Sequence, residues 1–350
     1  MAVELEAVLD GTPLLGQRTG IGRYTACLAE ELAELAAVRL VAFTVRGWRK
    51  LRDLAPRGTR AVGWPVPARL LRTCWRAAPL PPVELLTGPA SVVHGTNFVL
   101  PPTARAAGVV TVHDLAFLDD PRLADADLPA LVRTSVRRAR VVCTPSRAVA
   151  EAVQERLGAP EHKLVVTPLG VAAEWFTAAA PDEPLRRRLG LPDEYLVFVG
   201  ADGPRKGLAD LLRVHRDLDL PPLVVAGPGR AVRDERVIRT GYLTESELRR
   251  VVAGARALVL PSRDEGFGLP VLEAFACGVP VVCSDVPALR EVSGGRAQLF
   301  RRGDDDSLRD ALRRVLSEPV DPAALQARAA GFTWRRCAER TLAAYRRALS

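Results

Sequence analysis

Short apolar runs rich in valine and leucine alternate with longer stretches of helical period along almost the whole chain. That alternation predicts strands joined by crossover helices, an α/β architecture with parallel sheets. In the first half the strand-like runs fall at residues 5–9, 40–44, 92–94, 109–113, 141–144 and 164–167, with helices predicted over 21–36, 129–139 and 147–157. Ser146 stands where the last of these needs an N-cap. In the second half, runs at 195–199, 223–226, 236–238, 257–260 and 280–283 are separated by helical stretches at 207–216, 245–253, 269–277 and 305–316. The series restarts after residues 172–192, which are rich in alanine, proline and charge. The pattern therefore predicts domains over 1–172 and 193–330, a linker over 173–192, and a last helix within 331–350 that returns to the first domain.

Composition narrows the picture. A chain of 350 residues with 48% hydrophobic content can build two cores. It has no run of eighteen uncharged apolar residues, so no bilayer span is expected. The opening run to Asp10 carries Glu4 and Glu6 and lacks a basic leader, so it is not read as a signal peptide. The cysteines (Cys27, Cys74, Cys143, Cys277, Cys283 and Cys337) are widely spaced and form no CxxC pair, which fits a reduced cytoplasm and no structural metal. Lysine supplies three of the 49 basic residues and isoleucine occurs twice, a bias that reads as genomic base composition and not as affinity for nucleic acid. The net charge of +8 is localised: residues 39–76 hold ten basic side chains and one acid, Asp53, a net +9 that leaves the rest at −1. The same segment contains Trp48, Trp64 and Trp75.

The most informative block is LPSRDEGFGLPVLEAFACGVPVVCS, residues 260–284. A strand is expected to end near Pro261, followed by a loop with Gly266, Phe267 and Gly268 and a helix opening at Leu269. Amides at such a helix N-terminus favour a diphosphate. Glu265 on the loop reaches toward the sugar end of a ligand, and Glu273, eight residues on, accepts from ribose hydroxyls. For either glutamate alone, an exposed acid is the plainer reading; for the whole block it is not. Gly20 and Gly22 lie between a strand and a helix, either as a tight turn or as a place where backbone meets a ligand closely. Arg205 and Lys206, in a loop after the strand ending near Gly200, are either a solvated pair or fixed cations that stabilise a leaving diphosphate. His113 ends an apolar run, as a core histidine or a ligand-binding one. His94 in HGTNFVLPP fits a structural or an acceptor-site role equally, and Cys277 reads as a small buried helix residue. Tyr242, after Gly241, is a ligand-contacting residue or an aromatic core residue.

Taken in order, these segments resemble the retaining glycosyltransferases of family four. The block at 260–284 is similar to that family's paired-glutamate motif. TGIGRYT at 19–25, HDLAFLDDP at 113–121, PSRAV at 145–149, TPLGV at 167–171 and VGADGPRKGL at 199–208 follow the family's landmarks, so the resemblance covers nearly the whole chain. Many members carry an arginine directly after the strand glycine, where this chain has Ala201, which leaves open whether Arg205 takes that role. The resemblance implies the GT-B fold, two Rossmann-like domains facing across a cleft. It implies an N-terminal acceptor domain and a C-terminal domain for a nucleoside diphosphate sugar. It also implies His113, Arg205, Lys206 and Glu265 in catalysis. Donor binding would fall to Gly20, Gly22, Gly200, Tyr242, Gly266, Phe267, Gly268, Leu269 and Glu273. Transfer would retain the anomeric configuration by front-face attack, without a metal or other cofactor. GIGRY together with PRK tilts the donor toward GDP-mannose.

Two other classes compete. A dinucleotide oxidoreductase would show G-x-G-x-x-G and an acid about twenty residues on, and residues 20–25 read GIGRYT instead. A non-catalytic nucleotide-binding paralogue would be expected to have lost Glu265, Lys206 or His113, and all three stand in the sequence. The acceptor is expected to be a glycan, lipid-linked or cell-envelope precursor, with a soluble natural product as the alternative. The basic segment from Arg39 to Arg76 suggests an anionic membrane partner, peripheral on the inner face of the cell membrane. Within it, residues 67–78 can form a short helix with Leu70, Leu71, Cys74 and Trp75 on one face, which either lies at the lipid headgroups or packs on the first sheet beneath a solvated arginine surface.

Overall fold

The structure, a computed structural model, describes residues 5–16, 20–45, 47–62, 65–229 and 234–350. Thr19 of the first glycine motif, Arg46 and Trp64 of the basic segment, and the first four residues lie outside the described residues. The chain divides into two compact units, Met1–Gly170 with Trp334–Ser350, and Val171–Thr333.

Seven parallel strands form the first unit's sheet: β1 Glu6–Asp10, β2 Ala37–Val41, β3 Arg60–Val62, β4 Val92–Gly95, β5 Ala107–Thr111, β6 Val141–Thr144 and β7 Leu164–Val166. Their order is β3-β2-β1-β4-β5-β6-β7. β4, β5 and β6 are buried at every residue, as parallel strands covered on both faces must be. The order reverses between β1 and β4, so the loops after those strands part and leave room for a ligand. Local signals set the crossover helices. The Ser146 hydroxyl accepts from Val149 N at 3.2 Å to open Arg147–Leu157, and Gly158, at φ 68°, ends it. Gly20 and Gly22 lie inside the first turn of the helix Gly20–Ala33, not in a loop before it. The last helix, Trp334–Leu349, belongs to this unit and packs on Gly20–Ala33 and on β4, β5 and β6.

The helix Ala68–Ala77 packs much of its apolar face on the core of the first unit. Leu71 and Trp75 are buried in the core, the Trp75 ring standing edge-on to Phe43 at 5.0 Å. Arg72 pairs with Asp125 and Asp127 of the same unit. Of the four residues expected on an outward apolar face, only Leu70 is well exposed, at 60%. An amphipathic helix on a folded unit gains more by burying its apolar stripe in that unit's core. Among the described residues no helix is long and apolar enough to cross a membrane.

The second unit has six parallel strands: β8 Leu196–Val199, β9 Leu223–Ala226, β10 Val237–Gly241, β11 Ala257–Leu260, β12 Val281–Ser284 and β13 Gln298–Phe300, in the order β10-β9-β8-β11-β12-β13. The reversal here falls between β8 and β11. Residues 173–192, read from the sequence as a linker, carry the turn Ala173–Trp175 and the helix Glu183–Leu189 and belong to this unit, where Trp175 and Leu185 are buried. Cys277 is the half-buried C-cap of the helix Leu269–Ala276, its thiol directed at Trp175 O.

Candidate active site

The loops after β8 and β11 meet at the second unit's switch point. Gly207 lets them do so. It adopts φ 66°, and a Cβ there would stand 2.0 Å from Pro261 O, inside the first atom of the facing loop. Arg263 N also donates to Arg205 O at 2.8 Å, stitching the loops together. Residues 59 or more positions apart in sequence are thereby brought into one ionic cluster. Lys206 Nζ lies 2.6 Å from Glu265 Oε1, and Arg205 Nη1 lies 3.4 Å from Oε2. Ser262, which sequence reasoning missed, donates its hydroxyl to Glu265 Oε1 at 2.6 Å. Its only sequence signal is its place three residues before Glu265.

The Glu265 side chain is 8% exposed. Burial pushes its carboxyl up, but the charges of Lys206 and Arg205 and the hydrogen bonds from Lys206 and Ser262 outweigh that, holding it below the usual range. It is therefore a carboxylate at neutral pH, with both oxygens engaged.

Gly266, Phe267, Gly268 and Leu269 follow as buried residues, and Gly268, at φ 96°, caps the helix Leu269–Ala276. A Cβ on Gly268 would meet Leu289 Cδ2 at 2.4 Å, so this turn too needs a bare backbone. Glu273 sits in that helix and is 3% exposed, which removes the reading of an exposed helix acid. Gly200 follows β8 at φ 153°, its amide donating to Ala226 O at 2.9 Å. Tyr242 follows β10 with 56% of its surface exposed, so it is not a core aromatic.

In the first unit, His113 lies two residues beyond β5 and is buried. Its Nε2 is 2.8 Å from Thr96 O, and a carbonyl can only accept, so Nε2 carries the proton and Nδ1 is an acceptor. Burial pushes His113 down, only partly offset by that hydrogen bond and the Asp114 charge, so the ring is neutral. Tyr24 packs edge-on to it at 4.8 Å and Phe98 at 5.6 Å. Beneath them runs a buried chain of polar groups: Tyr24 OH to Thr111 Oγ1 at 2.8 Å, Thr111 Oγ1 to His94 Nε2 at 2.7 Å, and His94 Nδ1 to Tyr345 OH at 2.7 Å. With both nitrogens taken inside the fold, His94 is structural. Gly20, at the start of its helix, is exposed and has open space around it, whereas Gly22 is buried.

Residues 193–318 match the family described as glycosyl transferases group 1, and residues 19–170 match a glycosyl transferase 4-like domain. The chain is 29% identical over 283 residues to O-antigen chain mannosyltransferase B of Escherichia coli, covering 73% of this chain and 74% of that one. It is 34% identical over 281 residues to a D-inositol 3-phosphate glycosyltransferase of Frankia alni, covering 69% of each. Similar solved structures include sucrose-phosphate synthase from Thermosynechococcus elongatus, with a TM-score of 0.74 at 19% identity over 98% of both chains. Anabaena HepE in complex with UDP and glucose gives a TM-score of 0.74 at 16% identity, covering 97% of this chain and 98% of that one.

Proposed function

The chain belongs to the group 1, family-four glycosyltransferases with the GT-B fold, which transfer a sugar from a nucleotide sugar, and from that membership we propose hexosyl transfer from a nucleoside diphosphate sugar, GDP-mannose in preference, to an acceptor hydroxyl with retention at the anomeric carbon. The observation that carries this reading is the Arg205–Lys206–Glu265 cluster at the switch point of the second unit. Breaking the bond to the diphosphate gathers negative charge on the leaving oxygen. Arg205 and Lys206 are fixed cations that stabilise this charge more in the transition state than in the ground state. They do the work a divalent ion would otherwise do, so the reaction is read as metal-independent. A double displacement would need a free carboxylate nucleophile under the anomeric carbon. Glu265 does not suit that task, because its oxygens are held by Lys206, Ser262 and Arg205. It suits accepting a sugar hydroxyl, with the leaving phosphate taking the acceptor's proton. Glu273, buried on the helix behind Gly268, accepts from the ribose, and Gly266, Phe267, Gly268 and Leu269 present the turn to the diphosphate. His113 offers Nδ1 to a sugar hydroxyl.

The preference for GDP-mannose rests on GIGRY with PRK and on the mannosyltransferase relative. The relatives' names point to two acceptor chemistries, a glycan chain and an inositol phosphate. A lipid-linked glycan would agree with weak contact between the exposed Arg69, Leu70 and Arg76 and an anionic bilayer, a surface smaller than the sequence suggested. Hydrolysis of a panel of nucleotide sugars, followed by NMR of the product anomer, tests the proposal. GDP-mannose turnover giving the α product supports it; an inverted product or no turnover of any donor defeats it.

A further inference from the structure

Two aromatic rings wall the His113 imidazole, and both hang from one residue. Tyr24 and Phe98 stand edge-on to His113, with ring centroids at 4.8 Å and 5.6 Å. Thr111 is the last residue of β5, two positions before His113. It holds the first ring by its side chain, its Oγ1 lying 2.8 Å from Tyr24 OH. It holds the second by its main chain, its carbonyl accepting from Phe98 N at 3.0 Å. The second hold matters because Phe98 adopts φ 62°, a conformation that strains a side-chain-bearing residue and persists only where its surroundings impose it.

Thr111 is itself anchored. A hydroxyl offers one hydrogen and two lone pairs, so Oγ1 can serve a second partner, His94 Nε2 at 2.7 Å. His94 Nδ1 lies 2.7 Å from Tyr345 OH, so the anchor ends on the last helix, 251 positions along the chain from His94. Tyr24, His94, Thr111 and Tyr345 are all buried. In a dry interior an unmade hydrogen bond costs more than it does in water, so these links fix the rings in one geometry. Among the described residues, Cys143 and Cys337 also lie about the chain of polar groups. Burial keeps both thiols, both phenols and His94 neutral near pH 7. Asp114 is the neighbouring charge that favours protonation of His113, and burial outweighs it.

We propose that Thr111 is a positioning residue for His113: its hydroxyl sets the Tyr24 ring against the imidazole, which stays shielded from water and offers Nδ1 as an acceptor. The proposal takes the part played by His113 in turnover from the glycosyltransferase reading, but the state of its ring is measurable without any substrate.

The test compares Thr111→Val, which keeps the shape and removes the hydroxyl, with Thr111→Ser, which keeps the hydroxyl. In the full chain carrying ¹³C-labelled histidine, the His113 signal is assigned by its loss in His113→Asn and titrated by NMR. In Thr111→Val the Tyr24 ring is released and water enters. His113 should then titrate at a higher pH than in the wild type or Thr111→Ser, nearer the usual histidine value of about 6.5. With the nucleotide sugar that the chain hydrolyses fastest, Thr111→Val should lower kcat by about 10- to 100-fold, the cost of misplacing a group near the chemistry. The deficit should grow as pH falls, because a protonated His113 has no acceptor nitrogen, and Thr111→Ser should stay close to wild type. Circular dichroism shows whether Thr111→Val is folded. If it is not, Tyr24→Phe cuts the same link from the other side and takes its place, with a shift of His113 in the same direction expected. A His113 titration unmoved in the folded variant, or equal kcat in Thr111→Val and Thr111→Ser, overturns the proposal. If the chain hydrolyses no nucleotide sugar, the glycosyltransferase reading fails, and the titration alone decides this one.

Discussion

The two sheets share an architecture yet present opposite chemistry at their carboxyl edges. In the second unit the edge is ionic, with two cations and a carboxylate locked by Gly207 against Pro261. In the first unit the edge centres on a neutral imidazole, walled by Tyr24 and Phe98 above a buried chain of hydroxyls and His94. Burial pushes His94 down to about 3 and His113 below its ordinary value, so neither carries charge near neutrality. The contrast shows that strand order fixes where a ligand can sit, while the residues just past the strand ends fix what kind. Fixed cations suit a leaving diphosphate, and a neutral histidine that presents an acceptor nitrogen suits a hydroxyl.

The sharpest way to break the contrast is to discharge the ionic edge. Lys206→Ala is expected to lower kcat by about 10²–10³-fold, the range seen when one preorganised charge-stabilising group is removed. Steady-state kinetics with circular dichroism checks it, and near-wild-type turnover would detach Lys206 from the leaving group. Next in size is Glu273→Ala. Loss of a ribose hydrogen bond to a buried carboxylate should cost about 1.5–3 kcal/mol of donor affinity, read by calorimetry as an increase in Kd. An unchanged Kd would take Glu273 out of the donor site.

A smaller effect probes the first unit. Because the Asp10 pKa is raised from 3.8 to about 6 in the fold, its ionised form is disfavoured there. That cost is absent below pH 3.8, grows as pH rises, and is complete above about 6. Asp10→Asn should therefore raise the Tm at pH 7 by about 2–4 °C, the shift about 1 kcal/mol gives a protein of this size class. The gain should vanish as pH falls below 4; a gain independent of pH would show that burial of charge is not its cause. The smallest expected effect is none: on the roles proposed for Arg205 and Lys206, EDTA should leave turnover unchanged. Activity lost to EDTA and restored by Mg²⁺ would mean that the ionic edge is incomplete without a metal.

Much of this was legible in the sequence because parallel strands buried on both faces write themselves as unbroken apolar runs. β6, β9 and β11 stand at the predicted residues for that reason. The strands β3 and β13 were not legible: each has three residues and opens on a polar one, Arg60 and Gln298, so neither writes an apolar run as the equally short β7 does. Residues 173–192 misled because alanine, proline and charge look like a linker, while Trp175, Leu185 and Leu191 anchor the segment in a core. At the site, the motif gave Glu265, Lys206 and Arg205, but their contact depends on a glycine whose missing side chain permits two loops to touch. Thr96 and Thr111 were passed over because a lone threonine has no periodicity. Only the reversal of strand order brings the ends of β1 and β4 together, where Thr96 bonds both the Asp10 carbonyl and His113.

The return of the helix Trp334–Leu349 to the first unit makes the second unit an insertion, begun and finished inside its host. During synthesis the residues of the first unit emerge first, yet that unit is the last to be completed. Until Tyr345 leaves the ribosome, His94 lacks one of its two hydrogen-bond partners and the Tyr24 ring lacks Trp334, its neighbour at 6.5 Å. The inserted unit, continuous in sequence, has by then been entirely synthesised. A nascent chain from which residues 171–333 have emerged but residues 334–350 have not would thus carry a finished ionic cluster and an incomplete polar chain at His94, which Tyr345 then completes.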